Sequence, residues 1–389
     1  MPRLLVVTND FPPRPGGIQS FVHGIASRLP AGDVVVFTSR WRGWEAWDAT
    51  QPYRIVRHDT SVLLPTAALR RHAVALLSDL GCTDVWFGAA APLGLLAPAL
   101  RAAGARRLVA TTHGHEVGWA ALPAARSLLR RVAANVDVVT YLGDYTRGKL
   151  APALAPYDDK LRRLVPGVDV DLFRPDVDGA ALRAELGLTG RPVVVGVSRL
   201  MPRKGQDRLI EALPQIRRRV PGTALVLVGG GPSRQRLERR AAALGVAGDV
   251  TFTGSVAHAD LPAWYAVGDV FAMPCRRRLR GLDVEGLGIV FLEAAACGLP
   301  VVAGTSGGSV DAVLERESGL IVGGEDIDEI AAAVAGLLAD PARARQMAKR
   351  GREWVTADWS WRATVAAFRS LLDWPAETSA GFDQSLPLE

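Results

Sequence analysis

Two glutamates eight residues apart frame the most chemically suggestive stretch of the chain, Glu285-Gly286-Leu287-Gly288-Ile289-Val290-Phe291-Leu292-Glu293. A glycine-punctuated loop opens a short apolar helix, which Gly298 and Pro300 close into a strand. Free N–H groups from Gly286 to Val290 at the helix start suit a diphosphate. The carboxylates of Glu285, in the loop, and Glu293, about one turn inside the helix, can accept hydrogen bonds from hydroxyls. The order fits an elongated ligand with a diphosphate in its middle and hydroxyls at both ends. Two glutamates on a solvated helix would be the plain alternative, but this helix is apolar.

Three further motifs follow expected strands. In Gly196-Val197-Ser198-Arg199-Leu200-Met201-Pro202-Arg203-Lys204-Gly205, Arg199 and Lys204 leave the sheet on one loop. Arg can fork onto two phosphate oxygens while Lys acts as a point charge. In Thr8-Asn9-Asp10-Phe11-Pro12-Pro13-Arg14-Pro15-Gly16-Gly17-Ile18-Gln19, a stiff proline loop leads into a glycine pair at a helix start. Gly16 and Gly17 remove side chains where exposed amides could meet an anion. In Thr111-Thr112-His113-Gly114-His115-Glu116, two imidazoles and a carboxylate share one loop. Their spacing departs from the helical i, i+4 pair that a zinc site wants, so a His lining a cleft, or one capping the strand end, accounts for them better.

Three other features invite over-reading. Gly229-Gly230-Gly231-Pro232 follows a strand but has Arg234 where a dinucleotide fingerprint needs its third glycine, so a tight turn is expected. Asp169-Val170-Asp171 imitates a metal motif in what reads as a linker, and a cap or turn is expected. Arg276-Arg277-Arg278-Leu279-Arg280 is a basic run for a loop that could meet anionic lipid or an acceptor phosphate, or simply face water.

These motifs need elements to hold them, and the chain supplies alternating apolar runs and helical patterns. Leu4–Thr8, Val34–Thr38, Val85–Phe87, Leu108–Thr112 and Val136–Thr140 read as strands. Ile18–Leu29, Thr66–Leu80 and Leu122–Ala134 read as helices. After a pause near residue 170 the alternation restarts with Val193–Val197, Gln206–Val220, Ala224–Val228 and Arg234–Leu244, then strands at Val250–Thr253, Val270–Met273, Val301–Ala303 and Leu320–Val322. Such alternation gives parallel, doubly wound α/β sheets with right-handed crossovers. Two Rossmann-like domains are expected, 1–168 and 169–359, facing a cleft at the carboxyl ends of their strands. An amphipathic helix over about 360–375, carrying Trp361, Val365, Phe368, Leu371 and Leu372, is expected to pack back on the first domain.

Composition narrows the class. The 389 residues are 49% hydrophobic and 22% charged, an ordinary globular balance, and 40 Gly with 25 Pro show no collagen period. Three cysteines, Cys82, Cys275 and Cys297, without a Cys-x-x-Cys pair, exclude a disulfide scaffold or a cysteine-built zinc site. Lys plus Arg number 46 against 40 Asp plus Glu, for a formal charge of +6. That surplus suits a phosphate or a membrane face; no nucleic-acid-binding motif accompanies it. The apolar run Leu4-Leu5-Val6-Val7 is too short for a signal-peptide core. The longest apolar stretch, Gly88 to Leu100, is interrupted by Pro92 and Pro98. A cytoplasmic chain, peripheral at most on the inner face of the plasma membrane, is expected.

The Gly-Gly loop, the post-strand His, the Arg-x4-Lys pair and the Glu-x7-Glu helix, in that order, resemble the retaining glycosyltransferases of family 4, which have the GT-B fold. Ser306-Gly307-Gly308 and Gly319-Leu320-Ile321-Val322 also fit, and the resemblance covers essentially the whole chain. Within that family, Thr8-Asn9-Asp10-Phe11-Pro12-Pro13 with Gly16-Gly17-Ile18-Gln19, and His113-Gly114-His115-Glu116, are similar to segments of actinobacterial GDP-mannose-dependent phosphatidylinositol monomannoside mannosyltransferases.

The resemblance implies that Arg199, Lys204 and the amides of Gly286, Leu287, Gly288, Ile289 and Val290 hold the diphosphate of a nucleotide sugar. It implies that Glu293 takes the ribose hydroxyls, Glu285 the hexose, and the Val256 backbone the base. His113 would sit beside the transferring sugar. Gly16 and Gly17 would approach donor phosphate or acceptor, and Asp10 and Gln19 would orient the acceptor. One departure is Ser309-Val310-Asp311, where a Pro-Glu pair is common in the family.

No motif places a carboxylate behind the anomeric carbon, which favours front-face substitution with the leaving diphosphate helping to deprotonate the acceptor. Arg199 and Lys204 would stabilise the growing charge. No cofactor beyond the nucleotide-sugar co-substrate is expected, and no essential metal. Other readings stand beside this one: a family 4 enzyme with another donor or a soluble acceptor, a sugar-nucleotide epimerase, and a non-catalytic anion- or nucleic-acid-binding protein suggested only by the basic charge.

Overall fold

The computed structural model describes residues 3–114, 116–281 and 283–375. They fall into two compact units. One runs to Gly167 and is rejoined by the chain from Trp361; the other spans Val168–Ser360.

The first unit is built on seven parallel strands: β1 (Leu4–Val7), β2 (Val34–Ser39), β3 (Arg54–His58), β4 (Asp84–Phe87), β5 (Arg107–Thr111), β6 (Val138–Tyr141) and β7 (Leu161–Arg163). Their order is β3-β2-β1-β4-β5-β6-β7. Strands β1, β2 and β4 are buried throughout, as central strands of a parallel sheet covered on both faces must be. The order reverses between β1 and β4, and the loops that follow those strands carry Asp10 and Gly88.

The helix Trp361–Leu371 lies on this unit, as its amphipathic pattern requires. Trp361, Val365, Phe368 and Leu372 join Phe21, Val22, Ile25 and Trp86 in one buried cluster. A side chain at Gly24 or at Gly167 would collide with the Trp361 indole, so these two glycines form the notch that admits it.

The second unit has six parallel strands: β8 (Val193–Val197), β9 (Ala224–Val228), β10 (Val250–Gly254), β11 (Val270–Met273), β12 (Val301–Gly304) and β13 (Gly319–Val322). The order is β10-β9-β8-β11-β12-β13, with its switch between β8 and β11. The loop after β8 carries Arg199 and Lys204; the loop after β11 leads to Glu285.

Several boundaries differ from the sequence reading. Val136 ends the helix Pro123–Asn135 rather than starting β6. Strands β3 and β7 and the helix Asp144–Leu154 are additional elements.

Candidate active site

The loops after β8 and β11 are packed backbone to backbone. Gly205 has φ +79, and a Cβ there would strike the Pro274 carbonyl. The Arg276 amide donates to the Arg203 carbonyl at 2.8 Å. This contact delivers Lys204 to Glu285, with Nζ to Oε2 2.7 Å. Arg203 stands behind them, its Nε 3.7 Å from Glu285 Oε2 and its guanidinium 3.6 Å from Asp283. Glu285 is 7% exposed, so its charge depends on these cations.

The backbone of Glu285 is held from below by the turn after β12. Its amide donates to Ser306 Oγ at 3.1 Å, and its carbonyl accepts from Gly308 N at 2.9 Å. Side chains at Gly307 and Gly308 would run into the carbonyls of Glu285 and Gly286. The turn is closed by Ser309, whose hydroxyl donates to Gly304 O at 2.6 Å and accepts from Ser306 N at 3.0 Å. Ser309, the first residue of Ser309-Val310-Asp311, thereby shapes the cradle.

Gly288, at φ +82, starts the helix Ile289–Ala296. No side chain caps this helix and its first turn carries no acidic residue, so its amide-rich end keeps its positive potential. Leu287 and Gly288 are buried; Gly286, Ile289 and Val290 are half-buried. Glu293 is 5% exposed and accepts from the Tyr265 hydroxyl at 2.7 Å. Burial pushes its carboxyl up to about 7, with the Tyr265 hydrogen bond pulling the other way. Burial likewise holds the Tyr265 phenol far above its ordinary range.

Arg199 is exposed at one end of a groove that Val256, Ser255, Leu261 and the glycines 229–231 also line. Among the described residues its guanidinium has no ion-pair partner, whereas its backbone carbonyl accepts from Gln206 Nε2 at 3.2 Å. The triple glycine is a close approach: side chains at Gly229 and Gly231 would meet the backbone of Ser198 and Leu200.

In the first unit, Gln19 Nε2 donates to Asp10 Oδ1 at 2.9 Å. Gly16 abuts the Gln19 carboxamide so closely that a side chain would displace it. Gly16 precedes and Gly17 begins the uncapped helix Gly17–Ala26, and both are exposed. His113 Nε2 lies 2.6 Å from the Gly88 carbonyl, which can only accept, so this nitrogen carries the proton. Phe21 meets the His113 ring edge-on at 5.3 Å, and the His113 amide donates to Glu116 Oε2 at 2.9 Å. His115 lies outside the described residues.

Thus the structure joins Asp10 with Gln19, Lys204 with Glu285, and Arg199 with Val256, while Glu293 sits apart on Tyr265. Tyr265, Arg203 and Gly88 were not singled out from the sequence, and Ser306 was noted only within Ser306-Gly307-Gly308, without a role. The Arg-Lys doublet before Gly205 offered a local signal for Arg203, and the glycine pair after Ser306 one for that serine.

The basic run divides: Arg277 is exposed, whereas Arg276 and Arg278 are paired. Arg276 neither faces water nor awaits a lipid: it is buried and forks onto Asp207 at 2.7 and 2.8 Å, with Glu325 at 3.0 Å. Arg278 pairs with Asp283. Asp169 Oδ1 accepts from the amides of Asp171 and Leu172, a turn rather than a metal ligand set.

Two all-parallel α/β units with their chemistry at the strand ends define the GT-B class of glycosyltransferases. The crystal structure of Anabaena HepE in complex with UDP aligns with a TM-score of 0.81 at 20% identity, over 95% of this chain and 99% of that one, which speaks to the fold alone. The family description "Glycosyltransferase Family 4" matches residues 15–172, and "Glycosyl transferases group 1" matches 179–354.

A Mycolicibacterium smegmatis protein named GDP-mannose-dependent alpha-(1-6)-phosphatidylinositol monomannoside mannosyltransferase is 52% identical, over 95% of this chain and 98% of its own. A Corynebacterium glutamicum protein, named for the monoacylated form of that acceptor, is 44% identical over 92% and 94%. The chain belongs to glycosyltransferase family 4.

Proposed function

We propose that this chain transfers mannose from GDP-mannose to a phosphatidylinositol monomannoside, with retention at the anomeric carbon. The observation that carries donor and acceptor is the 52% identity, over nearly the full length of both chains, to a relative that bears that activity in its name. The chemistry is supported by the cationic and amide-rich groups around Glu285.

Arg199, Lys204 and the amides from Gly286 to Val290 bind the diphosphate. Val256 meets the base through its backbone, and Glu293 takes the ribose hydroxyls. Lys204 trades Glu285 for a phosphate oxygen when donor arrives, which frees Glu285 for the hexose hydroxyls. Gly16 and Gly17 approach the donor phosphate, His113 lies beside the hexose, and Asp10 with Gln19 orients the acceptor hydroxyl.

That hydroxyl oxygen bonds to the anomeric carbon from the face the diphosphate leaves. The bond to the diphosphate oxygen breaks, and the acceptor proton passes to that departing oxygen. Each charge-assisted hydrogen bond to the leaving group is worth about 1.5–3 kcal/mol. Among the described residues no helix is long and apolar enough to cross a membrane. The lipid acceptor is therefore met at a bilayer surface, on this reading the inner face of the plasma membrane.

The test is to incubate purified protein with GDP-mannose and phosphatidylinositol monomannoside and to follow product mass and anomeric configuration. An α-linked dimannoside is expected. Donor turnover without acceptor, or equal transfer from UDP-glucose, would overturn the reading.

A further inference from the structure

Six large apolar side chains are exposed among the described residues, and three of them, Trp41, Val62 and Leu64, are 40%, 50% and 56% exposed in the loops after β2 and β3. All strands of the first sheet are parallel, so these loops leave the same edge as the β1 loop that carries Asp10. They are also tied to one another. The Arg40 amide donates to Thr60 O at 2.9 Å. Asn9 Oδ1 accepts from Leu63 N at 2.6 Å, and Asn9 Nδ2 donates to Leu63 O at 3.0 Å. The Arg14 guanidinium lies over the Trp41 ring at 5.1 Å.

This face carries charges of both signs. Arg40 is taken by Asp59, and Glu45 is exposed nearby. Among the described residues, Arg14 and Arg42 have no carboxylate partner. An indole beside guanidinium groups suits the headgroup layer, where an apolar ring and lipid phosphates lie side by side.

We propose that the loops after β2 and β3 form the face by which the first unit docks on an anionic bilayer, with Trp41, Val62 and Leu64 entering the headgroup layer and Arg14 and Arg42 meeting lipid phosphates. The proposal rests on the reading of a lipid acceptor and adds where the lipid surface is met. Docking there keeps the bilayer beside the loop that carries Asp10, so the acceptor headgroup reaches its site while its acyl chains stay in the membrane. The lipid contact thus moves from the Arg276–Arg280 loop, two of whose guanidiniums are held in ion pairs, to the first unit.

The experiment compares the full chain with Trp41→Ser/Leu64→Ser and with Arg42→Glu. Co-sedimentation uses vesicles of equimolar phosphatidylinositol and phosphatidylcholine, against phosphatidylcholine alone. Transfer is measured in parallel to vesicle-embedded phosphatidylinositol monomannoside and to its short-chain, water-soluble analogue.

Each variant should partition roughly tenfold more weakly to the anionic vesicles and lose transfer to the embedded acceptor in proportion, while transfer to the soluble analogue is unchanged. Wild-type binding by both variants overturns the proposal. So does a wild-type chain that ignores vesicles but forms a dimer that Trp41→Ser/Leu64→Ser dissolves, which gives the face to a second copy. Absence of transfer to the soluble analogue by the wild-type chain would instead defeat the functional reading, independently of the vesicle result.

Discussion

Glu293 keeps its proton to about pH 7 in the fold, against an ordinary value of 4.5 for an unfolded chain. The folded state therefore binds more protons than the unfolded one between those values, and stability falls as pH rises through that window. Burial of the charge costs about 3 kcal/mol across it. Glu293→Gln should flatten the melting temperature measured from pH 4.5 to 7. A slope equal to that of the wild-type chain would show that another group sets the dependence.

Tyr265→Phe removes the hydroxyl on Glu293 Oε2. It should destabilise the chain by about 1–3 kcal/mol and raise the KM for donor more than it lowers kcat. Lys204→Ala should lower turnover roughly a hundredfold, about 2.7 kcal/mol of barrier. Because it also strands Glu285, adding Glu285→Gln should recover stability in a denaturant titration without recovering turnover.

Lys204 and Glu285 were legible as a pair of motifs because their spacing from strands announces a ligand. Tyr265 was not, since an aromatic in Leu261-Pro262-Ala263-Trp264-Tyr265 reads as core until its hydroxyl is seen to meet a carboxyl side chain.

Among elements, the turn after β12, noted in the sequence as Ser306-Gly307-Gly308 without a role, supports the Glu285–Gly286 backbone through two glycines and a serine. Gly308→Ala drives a methyl into the Gly286 carbonyl. It should cost about 1–3 kcal/mol of stability and raise the KM for donor, measured by denaturation and by steady-state kinetics. A normal KM with reduced stability would detach the turn from donor binding.

The apolar runs of β1, β2, β8 and β9 were readable because central parallel strands are buried on both faces. Strand β3 was not, because at the sheet edge only Ile55 and Val56 are apolar. Its Arg57 is spent on Asp48 and on the Pro12 and Ser39 carbonyls, a set of partners that local sequence does not reveal.

At the scale of the molecule, the first unit is discontinuous: its core includes residues from both ends of the chain. Phe368 is fully buried and 4.5 Å from the Trp86 ring. Phe368→Ala should destabilise by about 3–5 kcal/mol, read as a lowered thermal transition. No change would mean that the helix Trp361–Leu371 contributes little to that core.

The same discontinuity has a consequence during synthesis. The aromatic face of Phe21 and Trp86 emerges from the ribosome well before the helix Trp361–Leu371 that covers it. Roughly 190 residues separate Gly167 from Trp361, so at usual translation speeds a greasy, half-built surface waits on the order of 10–40 s for its lid. Over that interval the whole second unit can fold before the first one closes.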